Sequence, residues 1–202
     1  MLNLIRKDFL LQKNILLIML TLLFVSINFA TSAIWVGILF SIAIVMQCFS
    51  ADEKSPIHLL LNSLPYSRKE IVSSKYIGAC VFVILVLVTI FIGHLIIHKE
   101  IFPWRNMLFI TNIVLIFISF AFPFSYMFNS HYLLIASGVL FVLYLMLINL
   151  FLPNLNDMIR EISGLVLALD NDQSYLIVSL GVLIIYFFSW VLSIRIYSKK
   201  IF

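Results

Sequence analysis

The segment SADEKSPIHLLLNSLPYSRKEIVSSK, residues 50–75, is the longest polar and charge-rich interruption in an otherwise strongly apolar chain. Ser55-Pro56 has the pattern of a helix N-cap followed by proline at the first helical position. Apolar residues then recur at helical spacing. They are Ile57, Leu60, Leu61 and Leu64, with His58 and Asn62 on the opposite face. Because the residue before a proline is pushed out of the helical region, Pro65 ends this short amphipathic helix.

A second helix begins directly after this break. Ser67-Arg68-Lys69-Glu70 has the spacing of a capping box, with Ser67 as N-cap and Glu70 three residues later. The helix is expected to continue through Lys75 into the next apolar segment. Two capped helices joined by a rigid turn favour an element that fits into a soluble partner and transmits its motion. The alternative is a solvated loop with well-capped helices.

The composition indicates that most of the chain lies in a lipid bilayer. Its 202 residues are 63% hydrophobic and 11% charged, with a mean hydropathy of +1.15. A soluble domain is about 45–50% apolar and about 25% charged, so one globular core cannot bury this excess. The pattern predicts an all-α membrane protein that crosses the bilayer several times. The net charge of +4 does not indicate nucleic-acid binding, because the basic residues flank apolar runs and set orientation.

The apolar runs predict six membrane spans. Residues 15–50 carry no charge, yet as one helix they would extend about 50 Å across a hydrocarbon layer of about 30 Å. We therefore expect the chain to fold back within this run, at a polar cluster around Asn28. The predicted spans cover residues 11–27, 34–49, 76–97, 107–128, 132–152 and 175–196.

Basic residues are distributed unequally between the two sides that six spans create. One side holds Arg6, Lys7, Lys13, Lys54, Arg68, Lys69, Lys75, Arg195, Lys199 and Lys200. The other side holds Lys99, Arg105 and Arg160. This bias predicts that both termini and the loop at residues 52–75 are cytoplasmic. Residues 1–12 read equally well as an interfacial helix on the inner leaflet or as the basic flank of the first span.

Catalytic and cofactor-binding patterns are absent from the sequence. It contains no G-x-x-x-x-G-K-[ST] phosphate loop, so ATP hydrolysis would have to come from another chain. His94 and His98 form an i, i+4 pair that either binds a metal or marks the water interface. The predicted spans are uncharged except at their ends, which argues against a membrane-embedded enzyme. Their polar residues are expected to form interhelical hydrogen bonds. These are Thr21, Thr89, Asn112, Ser119, Ser137, Asn149 and Ser189.

A second polar stretch, residues 153–174, precedes the last predicted span. Apolar residues at helical spacing predict an amphipathic helix on the outer face. They are Met158, Ile162, Leu165, Val166 and Leu169. Asp157, Arg160 and Glu161 lie on this helix and are candidates for a gate at the exit of a transport path.

Three features together resemble the small bacterial ABC-2-type transporter permeases. The specific one is S-L-P-x-S-R-K-E-I at residues 63–71, and the opening M-L-N-L-I-R-K-D-F is also similar. The third feature is the layout of six spans with a loop between the second and third. The chain is especially similar to permeases that pair with a separate ATPase and export phenol-soluble modulins or antimicrobial peptides.

The resemblance implies one transmembrane domain, residues 1–202, with the ABC-2, type V exporter-like fold. It also implies two permease copies, identical or different, in the cytoplasmic membrane of a bacterium, with ATP and Mg²⁺ held by an ABC ATP-binding subunit. The residues expected to couple to that subunit are Ile57, His58, Leu60, Leu61, Asn62, Leu64, Pro65, Tyr66, Ser67, Arg68, Lys69 and Glu70. Apolar spans favour amphipathic or lipophilic cargo such as peptides. The alternative function is a membrane subunit that docks a cytosolic ATPase or sensor without transporting anything.

Overall fold

The computed structural model describes residues 2–29, 32–54, 67–127, 139, 157–159, 161–162, 164 and 172–199. Five long helices account for most of these residues, and the described ranges contain no β-strand. The helices are α1 (Leu2–Phe29), α2 (Ala33–Lys54), α3 (Arg68–Ile97), α4 (Trp104–Met127) and α5 (Asp172–Lys199). The all-helical class predicted from composition is confirmed.

Four stretches are long and apolar enough to cross a membrane, judged by length and composition. They are Leu4–Phe29, Arg68–Ile97, Trp104–Met127 and Tyr175–Lys199, and Ala33–Gln47 is a shorter apolar helix. The chain folds back between α1 and α2, where the length of the uncharged run required a turn. The predicted span at residues 132–152 lies outside the described residues. The count of six and the orientation of the termini stay predictions.

Helix extends into two segments that were predicted to lie outside the membrane spans, the N-terminal segment and the start of the coupling loop. Residues 2–12, read from the sequence either as an interfacial helix or as the basic flank of the first span, form the first turns of α1 without a break before the apolar part. At the other segment, α2 continues to Lys54 and so extends into the predicted coupling loop at residues 52–75. Residues 55–66 lie outside the described residues. The loop resumes at Ser67, and α3 begins at Arg68.

The core lies where α2, α3 and α4 meet, with α1 and α5 packed against its two sides. α4 and α5 form the most extensive pair, and α1 packs against α3 and α2. The most deeply buried residues of this core include β-branched residues of α3 and α4 and one leucine of α1, namely Val72, Val86, Ile90, Ile110, Val114, Ile118 and Leu23. Large apolar side chains such as Leu17, Phe120 and Phe188 are exposed on the outer faces, where lipid serves as solvent.

Two glycines allow the close helix contacts of this core. A Cβ atom added to Gly37 of α2 would lie 2.6 Å from Ile90 Cδ1 of α3, and one added to Gly93 of α3 would lie 2.8 Å from Ile27 Cδ1 of α1. Both distances are shorter than van der Waals contact, so no other residue fits there without movement. Gly78 of α3 differs, because an added Cβ would meet nothing within 4 Å.

Candidate functional site

The start of α3 is fixed by the capping box that the sequence predicts. The Ser67 hydroxyl accepts a hydrogen bond from the Glu70 backbone N–H at 3.2 Å. In return, Glu70 Oε2 accepts from the Ser67 backbone N–H at 2.9 Å. Ser67 itself has extended dihedral angles, φ −69° and ψ 145°, which is the conformation of an N-cap. The end of the predicted coupling loop is therefore an ordered helix start.

Arg68 and Lys69 have different environments although they are neighbours. Arg68 Nη1 donates to the carbonyl of Ser198 at 2.8 Å and lies 3.5 Å from that of Tyr197. These carbonyls belong to the last turn of α5, where helical acceptors lack partners and a cation is favourable. Lys69 is exposed and forms no hydrogen bond or ion pair within the part of the chain that the structure describes. Among the described residues, therefore, the Arg68 side chain is held by another helix and the Lys69 side chain is not.

A buried ion pair joins α1 to the first part of α3. Lys75 Nζ lies 2.9 Å from Asp8 Oδ2, and the side chains are 7% and 3% exposed, respectively. Lys7 Nζ lies 3.2 Å from the other carboxylate oxygen. Sequence reasoning assigned Lys75 to the basic surface and missed its partner. The available signal was that Asp8 is the only acidic residue before Asp52.

The Tyr76 hydroxyl connects α3 to α5 and α4 through a chain of hydrogen bonds. It lies 2.7 Å from Ser189 Oγ and 2.7 Å from Ser193 Oγ. Ser189 donates its only hydroxyl proton to the backbone carbonyl of Ser119 at 2.7 Å. Ser189 must therefore accept from Tyr76, which in turn accepts from Ser193. The chain runs in one direction, from α5 through α3 and back through α5 to α4.

Pro123 explains why the Ser119 carbonyl accepts a bond from another helix. In an unbroken α-helix the N–H of residue 123 would donate to this carbonyl, and proline has no N–H. α4 nevertheless continues through Pro123 to Met127. Ser189 of α5 supplies the missing donor and satisfies the carbonyl inside the membrane-spanning part. Ser189 confirms the expectation of interhelical bonds, whereas Thr21, Thr89 and Ser119 donate their hydroxyls to carbonyls of their own helices.

A polar stripe on α5 provides most of these contacts. The stripe consists of Tyr186, Ser189, Trp190 and Ser193, spaced i, i+3, i+4 and i+7. Tyr186 donates to the backbone carbonyl of Tyr76 at 2.9 Å, and Trp190 Nε1 donates to Ser73 Oγ at 3.1 Å. The spacing is visible in the sequence, but sequence reasoning singled out only Ser189.

The remaining predicted site residues are placed as follows. Of the coupling residues, Ser67, Arg68, Lys69 and Glu70 are described, and Ile57, His58, Leu60, Leu61, Asn62, Leu64, Pro65 and Tyr66 lie outside the described residues. Asp157 and Glu161 are exposed on described helical residues, and Arg160 lies outside them. The gate role of these three residues stays a prediction.

The histidine pair lies at the end of α3 opposite to the capping box. The rings of His94 and His98 are 4.6 Å apart, and His94 Nδ1 lies 3.3 Å from the Glu100 carbonyl oxygen. Among the residues that the structure describes, no group of three or more His, Cys, Asp or Glu side chains is placed to hold a metal ion. The structure therefore adds no further metal ligand to the pair.

Comparison with known proteins gives one family. A sequence model of the family described as "ABC-2 family transporter protein" matches residues 3–198. The match extends over all five helices and the segments between them. No curated protein and no solved structure gives a significant match.

Proposed function

Because the chain belongs to the ABC-2 family of transporter proteins and is thus the membrane permease component of an ABC transporter, we propose that it forms the export path for amphipathic or lipophilic cargo, most specifically peptides. The family implies an ABC ATP-binding partner. In our proposal two permease copies, in the cytoplasmic membrane of a bacterium, each contact one such subunit through the segment that ends at Glu70.

The observation that carries this proposal is the set of polar contacts at the first part of α3. The Arg68 guanidinium binds the end of α5, and the Lys75 ammonium binds Asp8 of α1. Tyr76 then binds the polar stripe of α5. A force applied at Ser67 to Glu70 is therefore passed to two further helices. A solvated loop needs no such anchoring, whereas a coupling element does.

The proline in α4 is the place where this motion changes the shape of the bundle. Without the N–H of Pro123, α4 lacks one backbone bond, and its Ser119 carbonyl binds Ser189 instead. In the proposed mechanism, ATP binding draws the two ATP-binding subunits together and tilts α3 and α5. The bond from Ser189 then moves the half of α4 before the proline relative to the half after it. The path opens alternately to each side.

The distribution of charge supports the choice of cargo. In the candidate spans of α3, α4 and α5, charged side chains lie in the end turns, except for the buried Lys75 of α3, which Asp8 of α1 neutralises. The middle of these spans is uncharged. A path with such walls favours molecules that carry their own apolar surface over small ions.

The test uses the chain co-purified with candidate ATP-binding subunits and reconstituted in lipid nanodiscs. We expect an amphipathic helical peptide to raise the rate of ATP hydrolysis. Lys69→Glu should weaken assembly with the ATP-binding subunit or abolish the response to peptide, without changing thermal stability. Lys199→Glu is the matched control, since it makes the same charge change at an exposed site at the end of α5, and it should retain the response.

Two outcomes would contradict the proposal. A stable complex whose ATP hydrolysis ignores peptide, lipid and drug alike would favour the docking or regulatory subunit instead. If Lys69→Glu assembles with the ATP-binding subunit and responds to peptide as the parent chain does, the described part of the loop has no coupling role.

We further propose that Asp157, Arg160 and Glu161 act at the exit of the path. The double variant Asp157→Asn, Glu161→Gln should change the export rate of a labelled peptide and leave membrane insertion and assembly with the ATP-binding subunit unchanged. Insertion is measured by membrane fractionation. Its loss would mean that these carboxylates serve folding, and the gate would be abandoned.

A further inference from the structure

A crevice lies between α4 and α5 at the end of the molecule where both helices begin. Its cavity volume is about 160 Å³, and apolar side chains such as Phe109, Ile113 and Val182 form most of its wall. Ile116 and Val178 also line the crevice and are 37% and 47% exposed. These two residues place the opening on the outer surface of the bundle, where the surrounding solvent is lipid.

Two polar residues, Asn112 and Tyr175, also line the crevice, and Tyr175 is the one that points to a ligand. It lines the crevice and is only 2% exposed, and its hydroxyl has no hydrogen-bond partner in the structure. A buried hydroxyl without a partner is unfavourable, because it has lost its hydrogen bonds to water. By contrast, the Tyr76 hydroxyl in the same bundle has two partners. The crevice therefore offers a hydrogen bond that nothing in the described protein takes.

Trp104 and Arg105, at the start of α4, lie at the same end of the crevice. The Trp104 ring contacts the Tyr175 ring edge-on at 6.4 Å, and the Arg105 guanidinium lies 5.9 Å from the Trp104 ring centroid. The first turn of α4 contains no acidic residue. Asn106 and Met107 donate their backbone N–H groups to the Pro103 carbonyl, and the N–H groups that precede the first helical bond attract anions.

We propose that this crevice binds one phospholipid of the surrounding membrane, with its phosphate at Arg105 and Tyr175 and part of one acyl chain between α4 and α5. The charge selects an anion, and the apolar wall selects an attached chain. The crevice volume is several times the roughly 30 Å³ of a water molecule in the liquid, so it accepts a short length of chain. Trp104 is half-exposed beside it, as expected of a residue at the membrane–water interface. This proposal rests on the membrane setting alone and is independent of coupling to an ATPase.

Trp104 provides the signal for the test. The full chain is purified in a maltoside detergent, which carries no phosphate, and titrated with phosphatidylglycerol brominated on its acyl chains. The chain has three tryptophans. The quenching of Trp104 is therefore obtained by subtracting the fluorescence quenching of the Trp104→Phe variant from that of the parent chain. We expect half-quenching at a mole fraction about fivefold lower than for equally brominated diacylglycerol, since one cation near a lipid surface contributes about that factor.

Variants separate the phosphate contact from the chain contact. Arg105→Gln should abolish the preference for phosphatidylglycerol, and Val178→Phe should reduce quenching by both lipids because it fills the crevice. Arg195→Gln is the charge-matched control at the far end of α5 and should keep the preference. Circular dichroism and thermal unfolding confirm that each variant is folded.

Three results would overturn the proposal. The first is equal quenching by diacylglycerol and phosphatidylglycerol, and the second is an unchanged preference in Arg105→Gln. The third is displacement of the brominated lipid by inorganic phosphate or by an equimolar amphipathic peptide, which would assign the crevice to a free anion or to cargo.

Discussion

The Asp8–Lys75 pair contributes to specificity more than to net stability. Two charges taken out of water lose hydration that their attraction barely restores, so buried pairs are often no better than apolar contacts. Removing one partner is a different matter, because the remaining charge stays buried. The value of the pair therefore lies in holding α1 against α3 in one register.

We predict that Lys75→Met destabilises the protein and that adding Asp8→Asn recovers most of the loss. The single change should lower the free energy of unfolding by about 3 kcal/mol, the lower end of the usual range, because Lys7 stays 3.2 Å from Asp8. The free energy of unfolding of both variants is measured in mixed detergent micelles of increasing SDS content. If the double variant is as unstable as Lys75→Met, the ion pair is not the cause.

The Tyr76 hydroxyl gives a smaller and more specific prediction. Tyr76→Phe removes the bonds to Ser189 and Ser193 but keeps the ring contact with Phe122 at 4.8 Å. Because hydrogen bonds between membrane helices contribute about 0.6 kcal/mol on average, we expect a loss of about 1 kcal/mol in the same assay. Ser179→Ala is the control, since Ser179 is bonded only to its own helix, and it should have almost no effect.

Residues that act locally were predictable, and residues that act across the bundle were not. Ser67 and Glu70 are three positions apart, so their spacing alone specifies the capping box. Tyr76 and Ser193 are 117 positions apart. Nothing local distinguishes a hydroxyl bonded to another helix from one bonded to its own, as Thr89 is.

The helix boundaries also differ in how well the sequence predicts them. The hydrophobic run predicted the second span to end at residue 49, whereas α2 continues to Lys54. Hydropathy reports where the membrane ends, and a helix can continue into water when its residues favour helix, as Ala51, Glu53 and Lys54 do. The start of α3 was predicted well because the capping box marks the helix itself, independently of the membrane.

The contacts between helices lead to a prediction about glycine. Gly37→Ala should be destabilising by about 1–3 kcal/mol, because its Cβ would lie 2.6 Å from Ile90 and force α2 and α3 apart. Gly78→Ala is the matched control in open space and should be neutral or stabilising by up to about 1 kcal/mol, since alanine favours helix. Thermal unfolding in detergent compares the two. Equal effects would show that helix propensity outweighs packing.

The two ends of the described bundle carry different charged residues. Arg68 and the Asp8–Lys75 pair lie at one end of α3, and Lys99 and Glu100 follow its other end. The excess of basic residues at the first end predicts that this end is cytoplasmic.

Cysteine labelling tests this orientation. In a chain with Cys48→Ala and Cys80→Ser, we expect Glu100→Cys to react with a membrane-impermeant maleimide on intact cells. Ser198→Cys, at the end of α5, should react only after the cells are opened. Permeabilised cells, in which both positions must react, provide the control for accessibility. The reverse pattern would invert the orientation and assign the coupling element to the outside.

The polar stripe of α5 also separates hydrogen-bond partners in the order of synthesis. α5 follows α3 and α4 in the chain and is therefore synthesised after them, yet it holds the partners of Ser73, Tyr76 and the Ser119 carbonyl. Until α5 is inserted, these groups lack the hydrogen bonds that the folded protein gives them. The helices that are made earlier therefore complete their polar contacts only when α5 arrives.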